Sequence, residues 1–186
     1  NVEYHRDIRP IFERSCSACH TKTADKSPAE LILDDDELLQ VGYSGKVPGT
    51  YFRLAADSSA KYGYKPVIHN GQWRQSNASR YIRKFQSRRS LLVWKITGRR
   101  LDGWTNDAFP TARVPGDPNT LELAGKSIEN TQRNRDRSDL DYRGSIMPPE
   151  SAIAEGKVKA LTDEDRMTIV RWIDLGCPVD LDFDPS

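Results

Sequence analysis

The chain has 186 residues, with 28 Lys and Arg against 27 Asp and Glu and a formal net charge of +1. That length suits one domain, with or without a large insertion, and no run of roughly 18 apolar residues is present to span a bilayer. Hydrophobic residues make up 37% and charged residues 30%, with a mean hydropathy of −0.70, so the apolar content is lean unless a bound group adds apolar surface of its own.

No basic-then-apolar leader precedes Tyr4, and the numbering reads as that of a mature or excised module. Tyr4, Ile8, Ile11 and Phe12 fall at helical spacing, which predicts an amphipathic helix over 2–15 that ends at Cys16. Pro10 inside it removes an N–H and predicts a bend. Ser27-Pro28-Ala29 marks a helix start or turn, and Leu31-Ile32-Leu33 runs into the acidic Asp34, Asp35, Asp36 and Glu37. Gly42, Gly45, Pro48 and Gly49 predict a loop.

From 60 to 101 the composition turns basic with no acidic residue, and Trp73, Tyr81, Phe85 and Trp94 are interleaved. The bland reading is a solvated face whose arginines pair with acids such as those at 34–37; the sharper one is a docking face for an acidic redox partner. The run from Ser90 to Ile96 reads as a short helix or strand, which its period does not separate. Residues 101–145, rich in Asn, Asp, Arg, Gly and Pro, read as a long surface excursion ordered by packing or by a partner. The last helix is the clearest element. Thr162 is a good N-cap, acids fill the first turn, Ile169, Trp172 and Ile173 share a face, and Gly176 with Pro178 ends it.

Three cysteines leave a disulfide framework with one over. Two of them stand in Cys16-Ser17-Ala18-Cys19-His20. Thiols three residues apart lie on one side of a helical turn, where each can add to one vinyl group of the same porphyrin, and the next residue, His20, then reaches the iron. A redox CxxC pair should instead open a helix after a strand. A zinc site would need Cys177, His5 or His69 to complete four ligands. For the distal iron position, Met147 stands in a loop stiffened by Pro148 and Pro149. His69 is the rival ligand, and an open or water-bound iron is the third option; Met167, on the last helix, reads as packing. Cys177 reads as a small buried apolar residue.

Taken in order, the motifs resemble the planctomycete-type cytochrome c domain, a variant of the class I cytochrome c fold. The matching pieces are Tyr4-His5-Arg6-Asp7-Ile8-Arg9-Pro10-Ile11, the CxxCH motif, Leu31-Ile32-Leu33-Asp34 and Gly42-Tyr43-Ser44-Gly45. Ser90 to Ile96, Met147-Pro148-Pro149, Leu161 to Asp165 and Trp172-Ile173-Asp174-Leu175-Gly176 complete the series. The resemblance implies one all-α, class I cytochrome c-like domain over 1–186 around a single covalent haem c, with the first and last helices crossed beside it. Insertions at about 47–87 and 99–143 lie outside the match. The resemblance also implies Met147 as distal ligand and a periplasmic or extracellular location, since haem is attached to this motif outside the cytoplasmic membrane.

The expected function is that of an electron carrier and not of an enzyme: a module passing single electrons to a redox protein or neighbouring module, for which a secreted copper-dependent polysaccharide oxygenase is a candidate. The alternative is a haem enzyme or a gas or peroxide sensor with an open distal site. No nucleic-acid-binding motif accompanies the basic residues.

Overall fold

A computed structural model describes residues 1–25, 27–28, 31–42, 45–56, 67–69, 72–74, 81–99, 101 and 146–180, with only the backbone described at 67–69 and 72–74. The predicted excursion at 101–145 falls, apart from Leu101, outside the described residues.

The N-terminal helix is built in two pitches. Tyr4–Ile8 forms a π-helical turn, and α1 (Arg9–Ser15) follows with Pro10 at its start. In a continuous α-helix Pro10 would lack its own bond and press its ring on the Arg6 carbonyl. The wider turn ahead of it, closed by Arg9 N–H on Tyr4 O, avoids that conflict. Glu3 caps the turn by accepting the His5 and Arg6 N–H groups, while its own N–H donates to Asp7 Oδ2 at 2.8 Å.

Two antiparallel hairpins that the sequence reading did not foresee follow: β1 (Leu38–Val41) with β2 (Gly45–Pro48), and β3 (Val67–His69) with β4 (Gln72–Arg74). Between them α2 (Gly49–Ala55) starts directly after Pro48. Its first N–H groups are satisfied by backbone carbonyls, Gly49 N on Glu37 O at 2.8 Å and Thr50 N on Asp35 O at 2.9 Å. A 3₁₀ turn (Ser87–Arg89) leads into α3 (Leu91–Thr97), so the apolar run of undecided period is helical. Then come α4 (Glu150–Ala154) and α5 (Asp163–Asp174). The capping box at α5 is reciprocal: Asp165 N donates to Thr162 Oγ1 at 3.1 Å and Thr162 N to Asp165 Oδ2 at 2.8 Å.

One core joins the π-helical turn, α1, β2, α2, α3 and α5. The π-helical turn packs against α5, and α3 packs against α5. Tyr4, Tyr51 of α2 and Trp172 of α5 form a ring triangle with centroids 5.6, 5.9 and 6.0 Å apart. Residues 49–55, placed in an insertion by the sequence reading, thus contribute Tyr51 and Leu54 to the same core as the first and last helices. Tyr51 also bonds through its hydroxyl to Cys177 O at 2.7 Å. At the other end of α5, Arg14 Nη2 donates to Asp165 Oδ2 at 2.5 Å, tying the end of α1 to the start of α5.

Candidate functional site

Cys16 is the C-cap of α1. Its carbonyl accepts from Cys19 N at 3.2 Å and His20 N at 3.1 Å, and its own N–H donates to Phe12 O at 2.9 Å. The chain therefore makes one more helical turn after α1, which sets Cys16, Cys19 and His20 on a common side. The stretch from Ser27 to Leu33 runs alongside and holds this turn, with Leu33 N on His20 O at 2.8 Å and Ser17 Oγ on Leu33 O at 3.1 Å.

His20 Nδ1 lies 3.2 Å from Leu31 O. A carbonyl only accepts, so this contact is a hydrogen bond when the proton sits on Nδ1, which leaves Nε2 with its lone pair. Burial lowers the His20 pKa below its ordinary value, opposed by the carbonyls of Leu31 and Pro28. The ring is therefore neutral at pH 7, the form that binds a metal.

Met147 reaches the same region from a distant segment. Its N–H donates to Lys95 O at 2.8 Å. That oxygen belongs to the last turn of α3, where carbonyls have no partner within the helix. Pro148, joined to Met147 by a cis bond, is buried, and Pro149 leads into α4.

Cys16, Cys19, His20 and Met147 line one cavity of about 280 Å³. Leu31, Leu33 and three residues of α3, Leu91, Leu92 and Ile96, make its walls mainly apolar. Lys95, also on the wall, has its ammonium pKa lowered by burial. In the sequence Lys95 stands out only as part of a basic stretch. Its spacing from Leu91 and Leu92, one turn earlier on α3, was the signal that it shares their face.

The arrangement speaks against a redox pair, and it leaves Cys177 and His5, two of the residues a zinc site would add, off the wall that carries Cys16 and Cys19. A redox pair lowers a thiol pKa, usually at a helix N-terminus. Here Cys16 sits at a helix C-terminus, and burial pushes its thiol up to about 12. Among the described residues no group of three or more His, Cys, Asp or Glu side chains could hold a metal ion. Cys177 is 1% exposed and is not on the cavity wall; burial pushes its thiol up to about 12 as well. His5 is exposed on the π-helical turn. Met167 is exposed on α5, away from the cavity wall. Of His69 only the backbone, in β3, is described; its side chain lies outside the described part.

Two of the acids at 34–37 have ion-pair partners among the described residues. Asp35 pairs with Arg53 at 2.5 Å and Asp36 with Arg9 at 2.7 Å. Among the described residues no helix is long and apolar enough to cross a membrane.

No family model matches the chain, and no curated protein matches it. Among solved structures, the hydrazine synthase of Kuenenia stuttgartiensis aligns at 19% sequence identity with a TM-score of 0.45, over 99% of this chain and 18% of that one. The chain thus spans less than a fifth of that structure's length, and nothing of its activity is carried over.

Proposed function

We propose that the chain is a monohaem c-type cytochrome module that passes single electrons, with the macrocycle joined through Cys16 and Cys19, His20 as proximal ligand and Met147 as distal ligand. The observation that carries this reading is that these four side chains line a single apolar cavity, although Met147 comes from far along the chain. The donor set fits the group: two thiols one helical turn apart, a neutral imidazole with one nitrogen open, a thioether, and walls that suit a flat apolar body. In this reading the fold is the all-α, class I cytochrome c type implied by the motifs.

When bound, haem c supplies a one-electron iron couple. The protein's own residues set how that couple behaves. Cys16 and Cys19 fix the macrocycle to the turn after α1. The Leu31 carbonyl holds the His20 proton on Nδ1 and so presents Nε2. The Lys95 carbonyl holds the Met147 backbone in place. Leu91, Leu92 and Ile96 exclude water, which favours the less charged ferrous state and raises the potential. Lys95, on the same wall, would add a cationic side chain beside the group. With His20 and Met147 both holding the group, no position would be left for oxygen or peroxide, and electron transfer would be favoured over substrate chemistry. The partner is a redox protein or neighbouring module, outside the cytoplasmic membrane, where this motif acquires its haem; a copper polysaccharide oxygenase is a candidate.

The test is production in a host with intact haem-attachment machinery. The polypeptide should retain the mass of one macrocycle after extraction with acid and solvent. Its spectrum should be low-spin in both oxidation states, and carbon monoxide should leave the Soret band of the reduced protein unchanged. Rapid carbon monoxide binding would shift the reading to an enzyme or sensor with open iron. A colourless polypeptide of bare mass would overturn it.

A further inference from the structure

Phe85 combines a backbone cost with an exposed aromatic ring. Its φ is +64°, in the left-handed region where a bulky side chain is an outlier. Its side chain nevertheless stays 68% exposed, so little burial compensates the strain. The position is rigidly kept. Phe85 N donates to Ile173 O at 2.8 Å, and two residues later Ser87 N and Oγ each donate to an oxygen of Asp174 at 2.9 Å. The ring lies directly on Gly176, where even a Cβ would come within 2.5 Å of Phe85 Cε1. Gly176, itself at φ +87°, thus serves as a seat for an aromatic ring that faces outward.

Around this ring the surface is apolar at its centre and cationic at its rim. Leu175, next to the seat, is 53% exposed. Lys84 and Arg88 flank Phe85 along the chain, and Arg171 stands one helical turn before Leu175; all three are exposed. The Lys84 ammonium is positioned by the Tyr51 hydroxyl at 3.2 Å. Asp174, exposed beside the seat, has both oxygens engaged by Ser87 but keeps its charge, so the three cations stand against this carboxylate. The loop that carries Phe85 is closed at its stem by Leu92 N on Tyr81 O at 2.9 Å, and both stem residues line the cavity.

We propose that Phe85, with Leu175 beside it and Lys84, Arg88 and Arg171 at the rim, is a preorganised anchor for a redox protein whose docking face has an apolar centre ringed by carboxylates. The identification of the partner as a redox protein rests on the cytochrome reading; the docking surface rests on Phe85. A ring held in its bound position before encounter loses little freedom on binding, a central aromatic is the usual site of concentrated binding energy, and the cationic rim speeds approach of an acidic face.

The test uses flavodoxin, an acidic one-electron carrier, as the probe in calorimetric titration of the protein as purified. Saturable binding is expected, weakened by at least about tenfold in Phe85→Asn and weakened by added salt. Absence of binding, or equal binding by the variant, overturns the proposal. Asn tolerates a left-handed φ, so the urea midpoint of Phe85→Asn should be unchanged or higher. A clear fall would show that the ring serves the fold itself, and would also overturn it. Intact mass and visible spectrum separate the two readings. A wild type without macrocycle that still binds through Phe85 sinks the cytochrome reading alone, while a haem-bearing wild type that does not bind sinks the docking proposal alone.

Discussion

Replacing Asp165 by Ala removes two connections at once. Its carboxylate closes the capping box of α5 through Thr162 N at 2.8 Å, and it receives Arg14 Nη2 from the last turn of α1 at 2.5 Å. Loss of a cap of this kind costs about 1 kcal/mol. The Arg14 side chain is 36% exposed, so its ion pair is screened and adds only about 0.5–1 kcal/mol. The sum is about 1.5–2 kcal/mol at pH 7, and a urea midpoint lowered by roughly 1 M if the denaturant slope is about 2 kcal/mol per M. The pH dependence gives a second check. Burial raises the Asp165 pKa, but Arg14 and Thr162 outweigh it and hold the carboxyl below its ordinary value. A depressed folded pKa means that the carboxylate stabilises above the unfolded value of about 3.9 and that this is lost as pH falls through the folded value. The gap between wild type and variant should therefore narrow below about pH 4. A gap below about 0.5 kcal/mol at pH 7, or one equally wide at pH 7 and in strong acid, would refute the reasoning.

Tyr51→Phe keeps the ring packing but strands the buried Cys177 carbonyl, which accepts the Tyr51 hydroxyl at 2.7 Å; a loss of about 2 kcal/mol is expected in urea titration. Gly49→Ala would drive a Cβ to 2.5 Å from Asp35 Cγ, and Asp35 is held by Arg53 in a largely buried pair. Displacing that pair should cost on the order of 3 kcal/mol, seen as a fall in Tm of about 6–12 °C. Met147→Ala should open the distal position, so that the reduced protein binds carbon monoxide rapidly while its intact mass still includes the macrocycle; an unchanged spectrum would point to His69. Cys16→Ser with Cys19→Ser should make the macrocycle extractable by acid and solvent.

What could be read from the sequence is what lies close together along it. The CxxCH motif carries three candidate site residues within one helical turn, and the Thr162 cap with its acids and the Gly176 stop bracket α5 with local signals alone. Met147 was legible through the prolines that follow it. The cavity was not: its walls are assembled from 31–33, Tyr81, α3 and Val158, and no window of sequence brings these together. The period of α3 stayed undecided because Leu91, Leu92, Val93, Trp94 and Ile96 are all buried, so the helix has no polar face to reveal its pitch. The hairpin of β1 and β2 hid behind four-residue strands, and α2 starts without a side-chain cap, its N-terminal N–H groups served by carbonyls of 35 and 37 that only the fold supplies. The π-helical turn before Pro10 was foreseen only as a bend.

The hydrogen bond from Met147 N to Lys95 O has a counterpart three residues further along from Lys95, where Gly98 faces the Ile146 side chain; a Cβ on Gly98 would lie 3.4 Å from Ile146 Cβ. The chain therefore departs and comes back at the same spot, and among the described residues the methionine's place is set on both sides of that gap. Gly98 has a φ of +71°, so any side chain placed there would strain the point at which the end of α3 meets the neighbour of Met147. A change outside the cavity wall should therefore be felt at the sulfur.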